Sequence, residues 1–187
     1  RFIIAAVGAG GSGATGHPQN VWCRSSGGGG GSGSFGCWYI DLEKIATAHN
    51  VSIDKLWLKT SGGTGASRTT GRNNDGSGGS NMTITIGSGT DTIYVTITLP
   101  AGGGGKRNSG NGGGGGSEPT EVLNKPESKY CQNIIRRKGV DGKEGDDEWD
   151  EVSSSSDIGR TKPEQLVIDS TAYQDFLKVR NNFIGTY

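Results

Sequence analysis

Three glycine runs, Gly27 to Gly31, Gly102 to Gly105 and Gly112 to Gly116, constrain most tightly what this chain can fold into. Glycine gives up more backbone entropy on ordering than any other residue, and it adds no side chain to a core. An ordered glycine run must therefore be held by dense backbone hydrogen bonding or close backbone packing; otherwise it is a linker. Here glycine follows directly on strand-like segments: Val7 runs into Gly8, Leu58 toward Gly62, Ile86 into Gly87 and Leu99 toward Gly102. That repetition predicts a β-scaffold from one end of which glycine-rich segments project. Collagen would need glycine at every third position with abundant proline, whereas the spacing is irregular and proline totals 5. The remaining ordered form is extended polyglycine strands packed side by side. Without Cβ atoms they can approach closely enough for Cα–H···O contacts of about 0.5–1 kcal/mol each.

Composition excludes a large oily core. Of 187 residues 36 are glycine, and hydrophobic residues make up 30%, against about 7% glycine and 45–50% apolar content in an ordinary domain. Thirty-one of the 36 glycines lie in residues 1–116, where 9 Lys/Arg face 5 Asp/Glu; residues 117–187 hold 10 and 14. The shift predicts two regions, a glycine-rich β-domain over 1–116 and a polar, acidic extension over 117–187 that docks on the domain or on a neighbour. Neither half is basic enough to make nucleic acid the main partner. No stretch reaches the ~18–20 apolar residues of a membrane-spanning helix, so no membrane insertion is expected. The chain opens inside an apolar run, which reads as a mature or excised fragment.

The strand signals are local. Phe2 to Val7 is a continuous apolar run, and Phe35 to Leu42 alternates with aromatic residues on both faces. Asp41 to Ser52 fits a short helix or strand and turn, and Ile53 to Lys59 reads as strand. Residues 60–80 carry almost no apolar side chains and are either a surface loop or held by their backbone. Met82 to Ile86 and Thr92 to Leu99, joined by Gly87-Ser88-Gly89-Thr90-Asp91, form the clearest hairpin. Beyond it, Glu118 to Lys129 reads as a linker and Tyr130 to Ile135 as a strand. The acidic run 141–151 reads as solvated, because the ligand order of a calcium loop is absent. Ala172 to Phe183 places apolar residues on one face of a short helix. The expected fold class is mainly β: a glycine-rich β-sandwich-like scaffold with extended polyglycine segments, plus a C-terminal extension with a short helix.

Enzymatic signals are few. Gly8-Ala9-Gly10-Gly11-Ser12-Gly13 has dinucleotide-loop spacing after a strand, but no acidic residue follows before Asp41 and no helix signal opens at the glycines. Gly102 to Lys106 lacks the leading glycine and trailing Ser/Thr of a P-loop. Two histidines and three cysteines without close spacing give no local zinc motif. The expectation is a non-enzyme with no cofactor and no metal. Cys23 and Cys37 flank the first glycine run; they either form a disulfide that closes it or stay as buried thiols, with Cys131 left over. Asn50 and Asn81 head glycosylation triplets. Trp22, Trp38 and Trp57 read either as core or as rings that stack on sugars.

The order of elements resembles that of the glycine-rich domains of bacteriophage tail-fibre and adhesin proteins. It is carried by the apolar opening strand into Gly8 to Gly13, five glycines before Trp38-Tyr39-Ile40-Asp41, Thr83 to Gly87, and Leu99-Pro100-Ala101-Gly102 before a final glycine run. The resemblance covers residues 1–116. It implies a β-scaffold, glycine segments packed or projecting at one end, distal loops that recognise a cell-surface receptor or glycan, and a virion-surface or extracellular setting. Trp22, Trp38, Trp57, Gly103 and Gly114 are the contact candidates for receptor or assembly. Self-association as a trimer or filament is expected, and the competing reading is a subunit of another extracellular filament in which Phe2 to Val7 completes a neighbour's sheet.

Overall fold

Runs of β-branched and aromatic residues form strands and the glycine runs continue them. The computed structural model describes residues 1–15, 27–70, 74–107 and 111–144, together with the backbone of 17–20 and 23–25. The expected helix over 172–183, Trp22, and most of the acidic run lie outside the described residues. Strands β1 (Phe2–Val7), β4 (Phe35–Ile40) and β9 (Cys131–Arg137) form one sheet in the order β1-β4-β9. A second sheet, in the order β5-β6-β7-β8, holds β5 (Leu56–Gly62), β6 (Met82–Ser88), β7 (Thr92–Leu99) and β8 (Thr120–Leu123). A separate hairpin pairs β2 (His17–Asn20) with β3 (Cys23–Ser25). Every pairing is antiparallel. With one α-helix among the described residues, α1 (Leu42–His49), this is a mixed α/β fold dominated by antiparallel sheets.

Of the two readings of residues 41–52 the helical one holds, because both ends are capped. The Asp41 carboxylate accepts from the Lys44 N–H at 3.2 Å, and Asn50 ends the helix in the left-handed region at φ 50° with its N–H directed at Ala46 and Thr47 carbonyls. Ile45 faces inward. Helix α1 thereby closes one side of a small core to which β4 gives Trp38 and Ile40, β6 gives Ile84 and Ile86, and β7 gives Val95 and Ile97. Against β4, strand β9 carries an extra residue, Ile134, between the partners of Cys37 and Trp38. Strand β4 is the central strand of its sheet, and Gly36, Cys37 and Trp38 on it are all buried. Gly36 makes this possible: a Cβ there would lie 2.1 Å from the Trp38 indole.

The boundary expected near Gly116 to Pro126 does not divide the described chain. The stretch read as a linker contains β8, which pairs with β7 over Val95–Thr98, and β9 pairs with β4 on the far side of the sequence. Both strands bring apolar residues to the shared core, and that burial outweighs their polar flanks. A polar tie joins the sheets as well. Trp38 Nε1 on β4 donates to Glu121 Oε2 on β8 at 3.0 Å, and Arg136 on β9 is ion-paired with the other Glu121 oxygen.

Candidate functional site

The glycine segments form a lattice. An extended chain with three residues per turn directs successive peptide groups at three different neighbours and every third one at the same neighbour. That period is visible in the hydrogen bonds. Gly8, Gly11 and Ala14 donate to Ser34, Gly31 and Gly28 at 2.7, 2.8 and 2.8 Å. Gly28, Gly31 and Ser34 in turn donate to Lys106, Gly103 and Pro100 at 3.1, 2.9 and 2.9 Å. Between those, Gly29 and Ser32 donate to Lys143 and Val140.

Seven segments take part: I (8–15), II (27–34), III (64–70), IV (74–81), V (100–106), VI (111–116) and VII (139–143). Their bonds place them in two layers. One layer runs III-I-II-VII and the other IV-V-VI, and each member of the second sits in the groove between two of the first. Segment V, for example, is bonded to I through Gly102 N and Gly105 N, to II through Gly31 N, to IV through Gly76 N and Gly79 N, and to VI through Gly103 N.

Each segment continues a sheet strand directly. Segments I, III, V and VII leave the scaffold from β1, β5, β7 and β9, while II, IV and VI lead into β4, β6 and β8. The sheet order β1-β4-β9 becomes the layer order I-II-VII, and β6-β7-β8 becomes IV-V-VI. Segment III crosses from β5 to flank segment I, with Ala66 N bonded to Gly10 O at 3.1 Å and Thr69 Oγ1 to Gly13 O at 2.8 Å.

Glycine is required where segments touch. A Cβ on Gly31 would lie 2.2 Å from the Gly114 carbonyl oxygen, and one on Gly113 would lie 2.0 Å from that of Gly103. At the margins, side chains replace the missing neighbour as acceptor. Asp141 Oδ1 takes the Gly115 N–H at 2.6 Å, Asp75 Oδ1 the Arg107 N–H at 2.9 Å, and Ser32 Oγ the Val140 N–H at 2.6 Å. The ends of segments I, IV and V remote from the sheets lie together. There Thr15 N donates to Asn74 O at 2.9 Å, and Lys106 Nζ lies 3.4 Å from Asp75.

The candidate residues separate under this geometry. Gly103 and Gly114 are brought together: the Gly103 N–H donates to the Gly114 carbonyl at 2.8 Å across segments V and VI. Trp38 is fully buried and belongs to the core, which removes it as a surface contact. Trp57 is half-buried on β5; its Nε1 donates to Gly89 O at 2.8 Å, and Lys59 Nζ lies 4.2 Å from the ring centroid. The Cys23–Cys37 disulfide is not formed, since Cys37 is a free thiol buried in the middle of β4. Burial pushes it up to about 11. Cys131 is also free; burial, with Glu121 adding to it, pushes it up to about 12. Asn50 is exposed at the helix end, and Asn81 Oδ1 is engaged by the Ala101 N–H at 2.9 Å.

Several polar residues of structural weight carry no sequence motif. Asp41 is buried, within 3.2 Å of Arg1 Nε and 3.3 Å of the Tyr39 hydroxyl. Burial is the largest influence and raises its pKa, but the Lys44 N–H, Arg1 and Tyr39 together hold it below the ordinary value. His49 stacks on Tyr94 at 4.0 Å, with Nε2 donating to the Asn124 carbonyl at 3.2 Å. Among the described residues no group of three or more His, Cys, Asp or Glu is arranged to hold a metal ion, and no helix is long and apolar enough to cross a membrane. Comparison of the chain with family models, curated proteins and solved structures gives no match at any of the three levels.

Proposed function

We propose that this chain is a structural, receptor-binding component of a phage tail fibre or a similar surface appendage, extracellular or on a virion, built as a β-sandwich-like scaffold that carries a glycine bundle. One observation carries the reading: every strand of the two sheets continues into a glycine segment at the same end, so segment ends distant in sequence, those at Thr15, Asn74 and Lys106 among them, meet at a single tip. Segment ends held by a cross-linked backbone lattice lose little further entropy when they bind. Asn74, Asp75, Lys106 and Arg107 give that tip polar and charged groups suited to a cell-surface glycan.

Binding is favoured over nucleotide chemistry because the Gly8, Gly11 and Ser12 amides of the 8–13 motif are already engaged. Gly8 N and Gly11 N donate to Ser34 O and Gly31 O, and segment I continues extended where a dinucleotide site needs a helix N-terminus. In the filament reading β1, an edge strand whose six residues pair with β4 on one side, adds to a neighbour's sheet through its other edge.

The test is saturable binding of the labelled protein to a panel of bacterial envelope preparations, paired with electron microscopy of the native material. Binding to one envelope type that is lost in an Asn74→Ala, Lys106→Ala, Arg107→Ala triple variant of unchanged Tm supports the proposal. Continuous fibrils with no envelope binding overturn it in favour of the filament.

A further inference from the structure

Strand β4 divides its side chains between the two faces of its sheet. Trp38 and Ile40 take the face of the main core, together with Phe2 and Ile4 of β1 and Cys131 of β9. Phe35, Cys37 and Tyr39 take the other face, where the register sets Ile3 and Val7 of β1 and Ile135 of β9 beside them. That outer face is apolar. Helix α1 and the second sheet are spent on the core side, where Ile45, Ile86 and Val95 join the cluster of Trp38 and Ile40.

The outer face is nevertheless buried at its centre. Cys37 is fully buried, and Ile135 is only 6% exposed although β9 is an edge strand. A small side chain in mid-sheet and an aliphatic one on an edge strand lose their exposure together only beneath a further layer. Exposure returns at the β1 margin, where Val7 is 43% exposed. The cover therefore lies over β4 and β9.

Residues 145–187 follow segment VII, which leaves the sheet from β9. Among them Tyr173, Phe176, Leu177 and Phe183 recur at the i, i+3, i+4 and i+10 spacing of one helix face. A helix over 172–183 is about 18 Å long, against roughly 20 Å for the six residues of β4. Helices this short are marginal in water by themselves and gain their stability by burying an apolar face. Residues 145–171 supply the reach to return to the sheet, since a coil of that length spans roughly 30 Å.

We infer that the stretch Ala172 to Phe183 docks on the outer face of the β1-β4-β9 sheet, over Phe35, Cys37 and Ile135, as a second core layer supplied by the same chain. The sheet then lies between two layers, with α1 and the second sheet on one side and this stretch on the other.

Cys37 and Cys131 lie on opposite faces of that sheet, so together they separate loss of the cover from loss of the fold. The experiment is alkylation of the full chain with iodoacetamide, mapped by proteolysis and mass spectrometry, in the wild type and in a Phe176→Asp, Leu177→Asp variant. Cys37 should be alkylated at least about tenfold faster in the variant, because its thiol regains water and ionises more readily, while Cys131 keeps its wild-type protection. Cys37 that stays protected in the variant overturns the inference. Where Cys131 opens as well the fold itself is lost, and a second measurement decides: photo-cross-linking in solution from p-benzoylphenylalanine placed at position 176 of the otherwise unchanged chain. Cross-links within one chain to residues 35–39 or 131–137 support the docking. Cross-links elsewhere in the chain, or none, overturn it; cross-links between isotopically distinct copies overturn it too, and give the face to a second molecule.

Discussion

The Gly31 N–H donates to the Gly103 carbonyl at 2.9 Å, and a Cβ on the adjacent Gly102 would lie 2.1 Å from the Gly31 oxygen. Two runs separated by some seventy residues of sequence thus approach to a distance that only unsubstituted Cα atoms allow. The same contact compensates the entropy of ordering glycine, because each ordered peptide group gains partners on several sides.

Alanine should separate the required glycines from the tolerated ones. Gly31→Ala places its Cβ 2.2 Å from the Gly114 oxygen, against backbone that cannot rotate away. It should cost at least about 3 kcal/mol or prevent folding. Gly114→Ala meets nothing nearer than Asp141 Oδ1 at 4.0 Å and should be neutral or stabilising by up to about 1 kcal/mol, through the unfolded state. Urea unfolding of the two variants decides; equal effects would mean that the segments are not packed as described.

Hydrogen exchange gives an independent check on the lattice. The amides of Gly31 and Ser32, bonded and buried in segment II, should exchange only with global unfolding. Gly78 and Gly114, whose N–H groups have no acceptor among the described residues, should exchange at rates close to those of an unfolded peptide. Uniformly fast exchange across residues 27–34 would show a disordered linker.

The tie between the sheets can be cut at Glu121. Glu121→Ala leaves the Trp38 indole N–H and the Arg136 guanidinium without their common acceptor, and Arg136 Nε is already buried without a partner. The loss should be about 2–3 kcal/mol, the range for hydrogen bonds to a charged group that is partly solvent-shielded. A double-mutant cycle with Trp38→Phe should give a coupling of about 1 kcal/mol or more; additivity would mean that the two do not interact.

Acid should weaken the fold through His49. Burial is the main cause that pulls its pKa below 6.5, and Lys125 adds to it, while the Asn124 carbonyl and Glu127 oppose. The folded state therefore binds fewer protons than the unfolded one. Stability is complete above pH ~6.5 and is lost as pH falls from there through the lower folded value. Between pH ~7 and ~5 the Tm should drop, and His49→Gln should flatten that slope; an unchanged slope would assign the effect elsewhere.

Both described cysteines should resist alkylation. Their thiols are raised to about 11 and about 12, chiefly by burial, so almost no thiolate exists at neutral pH. Mass spectrometry should find Cys37 and Cys131 unlabelled in the native protein and labelled after denaturation. Rapid native labelling of Cys37 would contradict its place in the core.

Local pattern in the sequence determined the strands. Phe2 to Val7 and the hairpin of β6 and β7 were legible because β-branched alternation acts through neighbours a few residues apart, and glycine following strand pointed to segments that leave one end of a scaffold. Only the tertiary structure decided the rest. The helical choice over 42–49 depended on caps and on Ile45 finding a core. Strands β8 and β9 read as extension because their polar flanks conceal apolar residues whose partners lie far away in sequence. Trp38 could not be told from a surface aromatic until β4 became the central strand of its sheet, with Trp38 packed over Gly36. The two-layer glycine lattice was least legible of all, because its bonds join backbone groups that every residue possesses. Which run bonds to which is set by the sheets that deliver them. A side-chain pattern can show that a run must pack closely; the strand topology alone chooses its neighbours.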